Sequence, residues 1–371
     1  MSDGRVGAVR WTSVAPPLAL VVLVASWGRD LAWGPALLIA VVLVASVLSA
    51  VHHAEVVAHR VGEPFGSLIL AVAVTVIEVA LIVTLMVTAE KDTSGLARDT
   101  VFAAVMISVN GIVGLSLVVA ALRRRLAVFN AEGTGSALAT VITLASLTLV
   151  LPRFTTSEAG PEFSPGQLTF AAVASLLLYG MFVFTQTVQH RDFFLPVEGE
   201  HGQDDLHRDD DHDGHADPPP RATALTSAGL LVVALISVVG LAKVESPSIE
   251  DAVAAVGFPH TFVGVVIALL VLLPEAISAV RAASRSRVQT SLNLAYGSAM
   301  ASIGLTIPTI AVASIWLEGP LTLGLGETDM ALLFMSVIVG VLTVVPGRAK
   351  PLNGGLHLVI LAAYIFLSIQ P

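Results

Sequence analysis

The chain has no cysteine and few charged residues. The first fact excludes several kinds of site, and the second argues against a soluble globular protein. Without cysteine among 371 residues, it can form no disulfide, thiolate metal site or cysteine nucleophile. Charged residues make up 13% of the chain, whereas soluble globular proteins carry roughly 25%. Its apolar residues instead come in long runs, and a bilayer core needs roughly 20 apolar helical residues per crossing. The sequence therefore predicts an all-α polytopic membrane protein whose main partner is the lipid bilayer.

Motifs of nucleotide-binding and hydrolytic enzymes are also missing. The sequence contains no P-loop, no nucleophile elbow and no glycine fingerprint that follows a strand. We therefore expect no cofactor, no nucleic-acid partner and no enzymatic activity.

Apolar runs between charges and turn residues predict eleven transmembrane helices. They are 14–28, 32–51, 64–89, 100–122, 135–152, 166–189, 222–243, 260–281, 289–317, 328–346 and 354–370. With a cytoplasmic N-terminus, 14 of the 19 Lys and Arg residues fall in cytoplasmic segments and 5 in outer ones, as the positive-inside rule requires. We therefore expect a multi-pass protein of the cell (inner) membrane whose N-terminus is cytoplasmic and whose first helix is retained.

A polar segment between the sixth and seventh spans divides the membrane part nearly in half. Residues 197–221 have no apolar periodicity and are rich in Asp and His, which predicts a disordered cytoplasmic linker. The predicted domains are a tail with the first helix (1–31), a first repeat of helices two to six (32–190), the acidic linker (191–221) and a second repeat of helices seven to eleven (222–371).

The two halves carry a weak internal repeat. Glu78 follows Ser67 by eleven positions in the third span, and Glu275 follows Gly264 by eleven in the eighth. At an offset of 190, the next spans pair Thr100 with Thr290, Ser108 with Ser298, Gly114 with Gly304, Leu115 with Leu305 and Ser116 with Thr306. Corresponding spans cross in opposite directions in the predicted topology, which indicates two inverted-topology five-helix repeats. Apolar helices use few residue types and can therefore match by chance, but the paired glutamates favour a true repeat.

Glu78 and Glu275 are the only carboxylates deep inside strongly apolar spans. An acidic side chain near the centre of a membrane helix costs about 2.5–3.5 kcal/mol, so each needs a partner, a cation or a proton. Burial favours the neutral carboxyl group and a bound cation favours the ionised one, so such a pair can exchange protons for metal ions. A neutral glutamate bonded to a neighbouring helix is the structural alternative.

Glu78 and Glu275 are the candidates for binding both a metal ion and a proton. If the metal ion is Ca²⁺, it takes about six to eight oxygen ligands, which is more than two carboxylates supply. Suitable side chains near the glutamates are Ser108, Asn110, Ser298, Thr75 and Ser302. Each could equally make an ordinary interhelical hydrogen bond. Pro274 and Pro308 are expected to free backbone carbonyls by breaking their helices.

Two further groups of polar residues are candidates for other roles. His52, Glu55 and His59 share a helix face at the cytoplasmic end of the second span, followed by Glu63. This face could hold a metal, gate transport or give access to protons, or it could be an ordinary polar interface. The linker could bind divalent cations weakly or sense pH, or be merely solvated. Its candidate residues are Asp204, Asp205, His207, Asp209, Asp210, Asp211, His212 and Asp213.

Two segments give the chain a family resemblance. AHRVGEPFGSLILAVAVTVIEVALI (58–82) and LLPEAISAVRAASRSRVQTSLNLAYGSAMASIGLTIP (272–308), with the Asp/His-rich linker, resemble the ChaA-type calcium (sodium, potassium)/proton antiporters. These form part of the cation/proton exchanger branch of the calcium/cation antiporter superfamily. The resemblance implies exchange driven by the proton gradient, with the signature glutamates at Glu78 and Glu275.

Three positions depart from the calcium-exchanger signatures. Asparagine stands three residues before each glutamate in those signatures, whereas this chain has Thr75 and Leu272; Ala301 stands where glutamine is common. The missing amides leave room for monovalent cations.

The sequence-based hypothesis is secondary active Ca²⁺/H⁺ exchange through the two glutamates. A Na⁺(K⁺)/H⁺ antiporter using the same site is the alternative. An intramembrane hydrolase on the His52–Glu55–His59 face and a cation sensor acting through the linker are remote alternatives.

Overall fold

A computed structural model of the chain describes residues 11–29, 32–62, 65–88, 94–197, 219–316 and 320–370. These residues form eleven helices, which confirms the predicted number. They are α1 (Trp11–Ser26), α2 (Trp33–Val61), α3 (Phe65–Thr88), α4 (Leu96–Arg124), α5 (Ala131–Arg153), α6 (Pro165–Gln189), α7 (Arg221–Ala255), α8 (Phe262–Ser284), α9 (Val288–Ala313), α10 (Glu327–Val344) and α11 (Pro351–Ile369).

Within these described ranges, nine helices are long and apolar enough to cross a membrane. The other two are α1, with 16 residues, and α3, whose apolar part is Ala71–Thr84. The fold also contains a feature that the all-α prediction did not include. Strands β1 (Ala127–Val128) and β2 (Arg348–Ala349) pair antiparallel and join the end of α4 to the start of α11.

Two helices run well beyond their predicted ends. The second span was expected to end at residue 51, but α2 continues to Val61 and stops at Gly62, whose φ of +79° suits a glycine at a helix end. The seventh was expected to end at residue 243, but α7 continues to Ala255. Hydropathy marks where a chain leaves the hydrocarbon, whereas hydrogen bonding lets a helix continue into the polar region.

The helices form two compact units. The first contains α1, α2, α3 and α7 up to residue 252, and the second contains α4–α6 and α8–α11. In the first unit, α2 packs against α1 and α3. A Cβ atom on Gly240 of α7 would clash with the side chain of Leu23 of α1, so the glycine allows these helices to approach closely.

In the second unit, α4 packs against α8, α9 and α11. Two of the aligned glycines lie at close helix contacts there. A Cβ atom on Gly114 of α4 would be 3.0 Å from the Gly354 carbonyl oxygen of α11, and one on Gly304 of α9 would be 2.9 Å from Cβ of Tyr179 on α6. Helices α4 and α9 are equivalent in the predicted repeats, as are α6 and α11. The two contacts are therefore related in the way that an inverted repeat requires.

The equivalent helices α4 and α9 are irregular at different places. Helix α4 contains a π-helical turn at Ile107–Ile112, while the matching residues of α9 are regular α-helix. Helix α9 is instead interrupted at Leu305, three residues before Pro308. The two halves therefore match in sequence at these helices, but their backbones depart from regular α-helix at different positions.

Candidate functional site

Glu78 is buried in the middle of α3, in the first unit. Its exposed fraction is 2%, and that of Thr75, one turn earlier, is 6%. Val76, two residues before Glu78 and so on the opposite side of the helix, is 44% exposed. The Thr75 hydroxyl has no hydrogen-bond partner among the described residues. A predicted carboxylate and a predicted hydroxyl ligand thus lie one turn apart and buried.

In the second unit, Ser108 and Asn110 lie in the π-helical turn of α4 and are fully buried. The turn packs against α8, α9, α10 and α11. A π turn inserts an extra residue into a helix, and such turns occur frequently at functional sites. The Ser108 hydroxyl has no hydrogen-bond partner in the described part of the chain.

Glu275 lies on α8, directly after the buried Pro274. The residue is half-buried, and its Oε2 atom is buried. Helix α8 continues through Pro274, so the expected break does not occur there, although the proline ring removes the usual helical donor from the Leu270 carbonyl. The expected break near Pro308 does occur in α9.

The remaining predicted ligands lie on α9, where Ser302 is buried and Ser298 is half-buried. Because α4, α8 and α9 pack together, the second unit brings the helices of Ser108, Asn110, Glu275, Ser298 and Ser302 into contact.

Asn110 takes part in a side-chain network that sequence reasoning missed. Its Nδ2 donates to Ser336 Oγ of α10 at 2.8 Å, and Ser336 Oγ donates to the Leu332 carbonyl at 2.7 Å. His357 Nδ1 of α11 lies 3.1 Å from Asn110 Oδ1. Because an amide oxygen only accepts, Nδ1 of His357 is the donor. The only sequence signal was a lone histidine in an apolar span.

His53, a neighbour of the predicted histidine face of α2, has a structural contact. Its Nε2 lies 3.0 Å from the Thr12 carbonyl oxygen of α1, and Ser49 Oγ donates to the same oxygen at 2.6 Å. Pro16 has no N–H to donate to this carbonyl, so side chains of α2 replace the missing helical bond. Pro16 was the sequence signal for this contact.

The other polar residues of α2 mostly face outward: Glu55 and His59 are exposed and His52 is half-buried. The described ranges contain no group of three or more His, Asp or Glu side chains that could hold a metal ion, and this includes the His52–Glu55–His59 face. Glu63 and the linker candidates Asp204, Asp205, His207, Asp209, Asp210, Asp211, His212 and Asp213 lie outside the described residues.

A polar cavity opens at one end of the second unit, between α4, α8, α10 and α11. Two adjoining spaces of about 250 Å³ and 300 Å³ share Arg98, Asp99 and Thr261. Arg98 Nε donates to Asp99 Oδ1 at 2.7 Å, and Arg98 Nη1 donates to the Gly324 carbonyl at 3.4 Å. Asp329 of α10 lines the same cavity and is close enough to Asp99 for the charge of Asp99 to act on it. These residues were not among the predicted site residues because they lie at or near the ends of the predicted spans.

Sequence reasoning also missed a third buried carboxylate. Glu245 lies in α7 with an exposed fraction of 4%, but the predicted seventh span ended two residues before it. Its Oε2 has no hydrogen-bond partner among the described residues.

Buried carboxylates and hydroxyls on apolar helices, some of them interrupted, are typical of secondary transporters of small cations. The chain belongs to the sodium/calcium exchanger protein family, whose sequence profile matches residues 31–188 and 226–370. The predicted relationship to the cation exchangers is confirmed.

Individual relatives extend this result over almost the whole chain. The chain is 41% identical to the y4hA protein of Sinorhizobium fredii (strain NBRC 101917 / NGR234), over 99% of this chain and 93% of that protein. It is 34% identical to the sodium-potassium/proton antiporter ChaA of Escherichia coli (strain K12), over 95% of this chain and 94% of ChaA. Among solved structures, the Ca²⁺/H⁺ antiporter YfkE has the same fold, with a TM-score of 0.71 and 14% identity over 97% of this chain and 99% of YfkE.

Proposed function

We propose that the chain is a proton-coupled antiporter that moves Na⁺ or K⁺ out of the cell as protons enter, with Glu78 and Glu275 as the carboxylates that bind cation and proton in turn. The observation that carries this proposal is the burial of Glu78, at 2% exposure, within an apolar membrane helix. A carboxylate in such surroundings is stable when it holds a proton or a cation, and exchange between the two states is the chemistry of antiport.

Glu275 supplies the second carboxylate at the matching repeat position. It is half-buried, so its surroundings are more polar than those of Glu78. In our proposal the two repeats rock against one another and give the carboxylates access to each side of the membrane in turn.

Each compact unit also holds neutral oxygens that are candidate ligands, Thr75 in the first and Ser108 in the second. The hydroxyls of Thr75 and Ser108 are buried and have no hydrogen-bond partners among the described residues, so each can coordinate an ion without first giving up a hydrogen bond. The Leu270 carbonyl, which lacks a donor because of Pro274, is a further candidate.

Two considerations favour a monovalent cation. Thr75 and Leu272 replace the amides of the calcium-exchanger signatures, and Ca²⁺ needs about six to eight oxygen ligands. ChaA, which is 34% identical to this chain, is a sodium-potassium/proton antiporter. Ca²⁺/H⁺ exchange, which the sequence placed first, remains the second candidate because the Ca²⁺/H⁺ antiporter YfkE shares the fold.

Proton flux in everted vesicles tests the proposal. The vesicles are energised to be acid inside, and a pH-sensitive dye follows the gradient after Na⁺, K⁺ or Ca²⁺ is added. We expect Na⁺ or K⁺ to dissipate the gradient in wild type and in the control Glu158→Gln, whose carboxylate lies on an exposed loop. Glu78→Gln and Glu275→Gln should reduce the response to that of vesicles without the protein.

Each outcome bears on a different part of the proposal. A response to Ca²⁺ alone would select the second candidate. A wild type that responds to no cation would contradict antiport, whereas active Glu→Gln variants would contradict the assigned site.

A further inference from the structure

We infer that His357 is a positioning residue of the transport site: together with Ser336 it holds Asn110, and thereby fixes the π-helical turn that presents Ser108. This inference rests on the proposed function, because it assigns Ser108 to the ion site. His357 lies outside the aligned repeat segments and contacts neither glutamate in any hydrogen bond of the described residues.

The close approach of α4 and α11 places His357 beside the turn. A Cβ atom on Gly114 would be 3.0 Å from both the Gly354 carbonyl oxygen and Cβ of His357, and one on Gly354 would be 2.6 Å from the Gly114 carbonyl oxygen. Asn110 is one turn before Gly114 on the same face of α4. The two glycines therefore set the distance over which the His357 imidazole reaches the Asn110 amide.

The side chains that hold Asn110 are buried. Asn110 and His357 are 0% exposed and Ser336 is 2% exposed. A buried polar group that loses its hydrogen bond costs roughly 1–3 kcal/mol, so Asn110 has one strongly preferred orientation, with Oδ1 toward α11 and Nδ2 toward α10. Two helices thus hold the middle residue of the π turn from outside.

This arrangement leaves Ser108 available. Two residues apart on a helix, Ser108 and Asn110 project toward nearly opposite sides. The bonds to α10 and α11 therefore restrain the rotation of the turn through Asn110, while the Ser108 hydroxyl remains without a partner among the described residues. Loss of the restraint would let the turn rotate and displace this hydroxyl from the ion.

A positioning role depends on one nitrogen of the imidazole, and the alternative role as a proton carrier depends on the other. The donor to Asn110 is Nδ1, while Nε2 is buried without a hydrogen-bond partner in the described part of the chain. The His357→Asn side chain places an amide nitrogen near Nδ1 and keeps the donor. His357→Gln places its amide near Nε2 and loses the donor, and His357→Leu removes both.

The test measures the KM for the transported cation and the pH profile of antiport in vesicles that hold equal amounts of folded protein. We expect His357→Asn to stay within about twofold of wild type, and His357→Gln and His357→Leu to raise KM about five- to tenfold without moving the pH profile, in line with the loss of one hydrogen bond. Impairment of His357→Asn equal to that of His357→Leu, a shifted pH profile in all three variants, or no change in any of them would overturn the inference.

Helix α10 offers a matched pair of variants. Ser336→Ala removes a bond to Asn110 and should raise KM in the same direction. Thr343→Val removes a buried hydroxyl that has no partner among the described residues, so it should behave like wild type. Equal effects of the two variants would contradict the network.

A transport-independent measurement separates this inference from the proposed function. Because Asn110 and His357 share a hydrogen bond, the losses of unfolding temperature in Asn110→Ala and His357→Leu should not add in the double variant. Additive losses would contradict the positioning role even if antiport is confirmed. A non-additive pair in a protein without proton flux would contradict the proposed function and leave the network standing.

Discussion

At the scale of single residues, the site is distinguished by which buried oxygens already have partners. Asn110 uses both ends of its amide, whereas the hydroxyls of Ser108 and Thr75 have no partners among the described residues. Residue type could not separate these cases, because serine, threonine and asparagine all make interhelical hydrogen bonds in membranes. Only the positions of the neighbouring helices decide which oxygen remains available for an ion.

Ser108 provides the residue-scale prediction. Ser108→Ala should raise the KM for the transported cation about five- to tenfold, because one ion ligand is lost, while the unfolding temperature stays close to that of wild type. Flux in vesicles and thermal unfolding in detergent measure the two quantities.

Ser175→Ala is the matched control for this variant. Ser175 is also a fully buried serine whose hydroxyl has no partner in the described part of the chain, but it lies on α6. An equal rise of KM in both variants would show that the loss of any buried hydroxyl disturbs transport, and would remove Ser108 from the site.

At the scale of helices, the close contact of α4 with α11 depends on two glycines. In the interior of a helix, Gly→Ala ordinarily stabilises by roughly 0.5–1 kcal/mol because the unfolded chain loses entropy. At Gly354 the added Cβ atom would lie 2.6 Å from the Gly114 carbonyl oxygen and 2.8 Å from the backbone nitrogen of Val118. Backbone atoms cannot move aside without separating the helices.

We therefore predict that Gly354→Ala destabilises the protein by about 1–3 kcal/mol, the usual cost of overpacking. Gly355→Ala is the control, because a Cβ atom there meets nothing within 4 Å. Thermal unfolding in detergent should show a lower midpoint for Gly354→Ala and an unchanged or higher midpoint for Gly355→Ala. The same midpoint in both variants would be inconsistent with the close α4–α11 contact.

The interruptions of the helices could be anticipated only in part. Proline predicted a break in α9, which occurs at Leu305, but α8 continues through Pro274. No residue pattern predicted the π turn of α4. A proline removes one donor by its covalent structure, whereas a π turn depends on packing from several neighbouring helices.

At the scale of the whole molecule, the division into compact units differs from the division of the sequence into halves. The first unit takes α2 and α3 from the first half and most of α7 from the second. Glu78 lies in the first unit and Glu275 in the second.

The predicted topology can be tested cleanly because the chain has no native cysteine. Ala159 lies between α5 and α6, in a segment predicted to be outside, and Ala222 lies in the first turn of α7, on the predicted cytoplasmic side; both are exposed. A membrane-impermeant maleimide should label Ala159→Cys in intact cells and Ala222→Cys only after permeabilisation. The opposite pattern would invert the orientation, and labelling of both in intact cells would require a different number of crossings between them.

The membrane class and the number of helices could be predicted from the sequence, and the two glutamates in apolar runs could be selected as candidates for the site. These features follow from local hydrophobicity and from the high free energy of a carboxylate in hydrocarbon, which are readable along the chain. The contacts of Asn110 with Ser336 and His357, and the cavity shared by Arg98, Asp99 and Asp329, became visible only in the folded chain. The physical reason is that hydrogen bonds and cavities depend on helices that are distant in sequence, and side-chain type does not encode which helices meet.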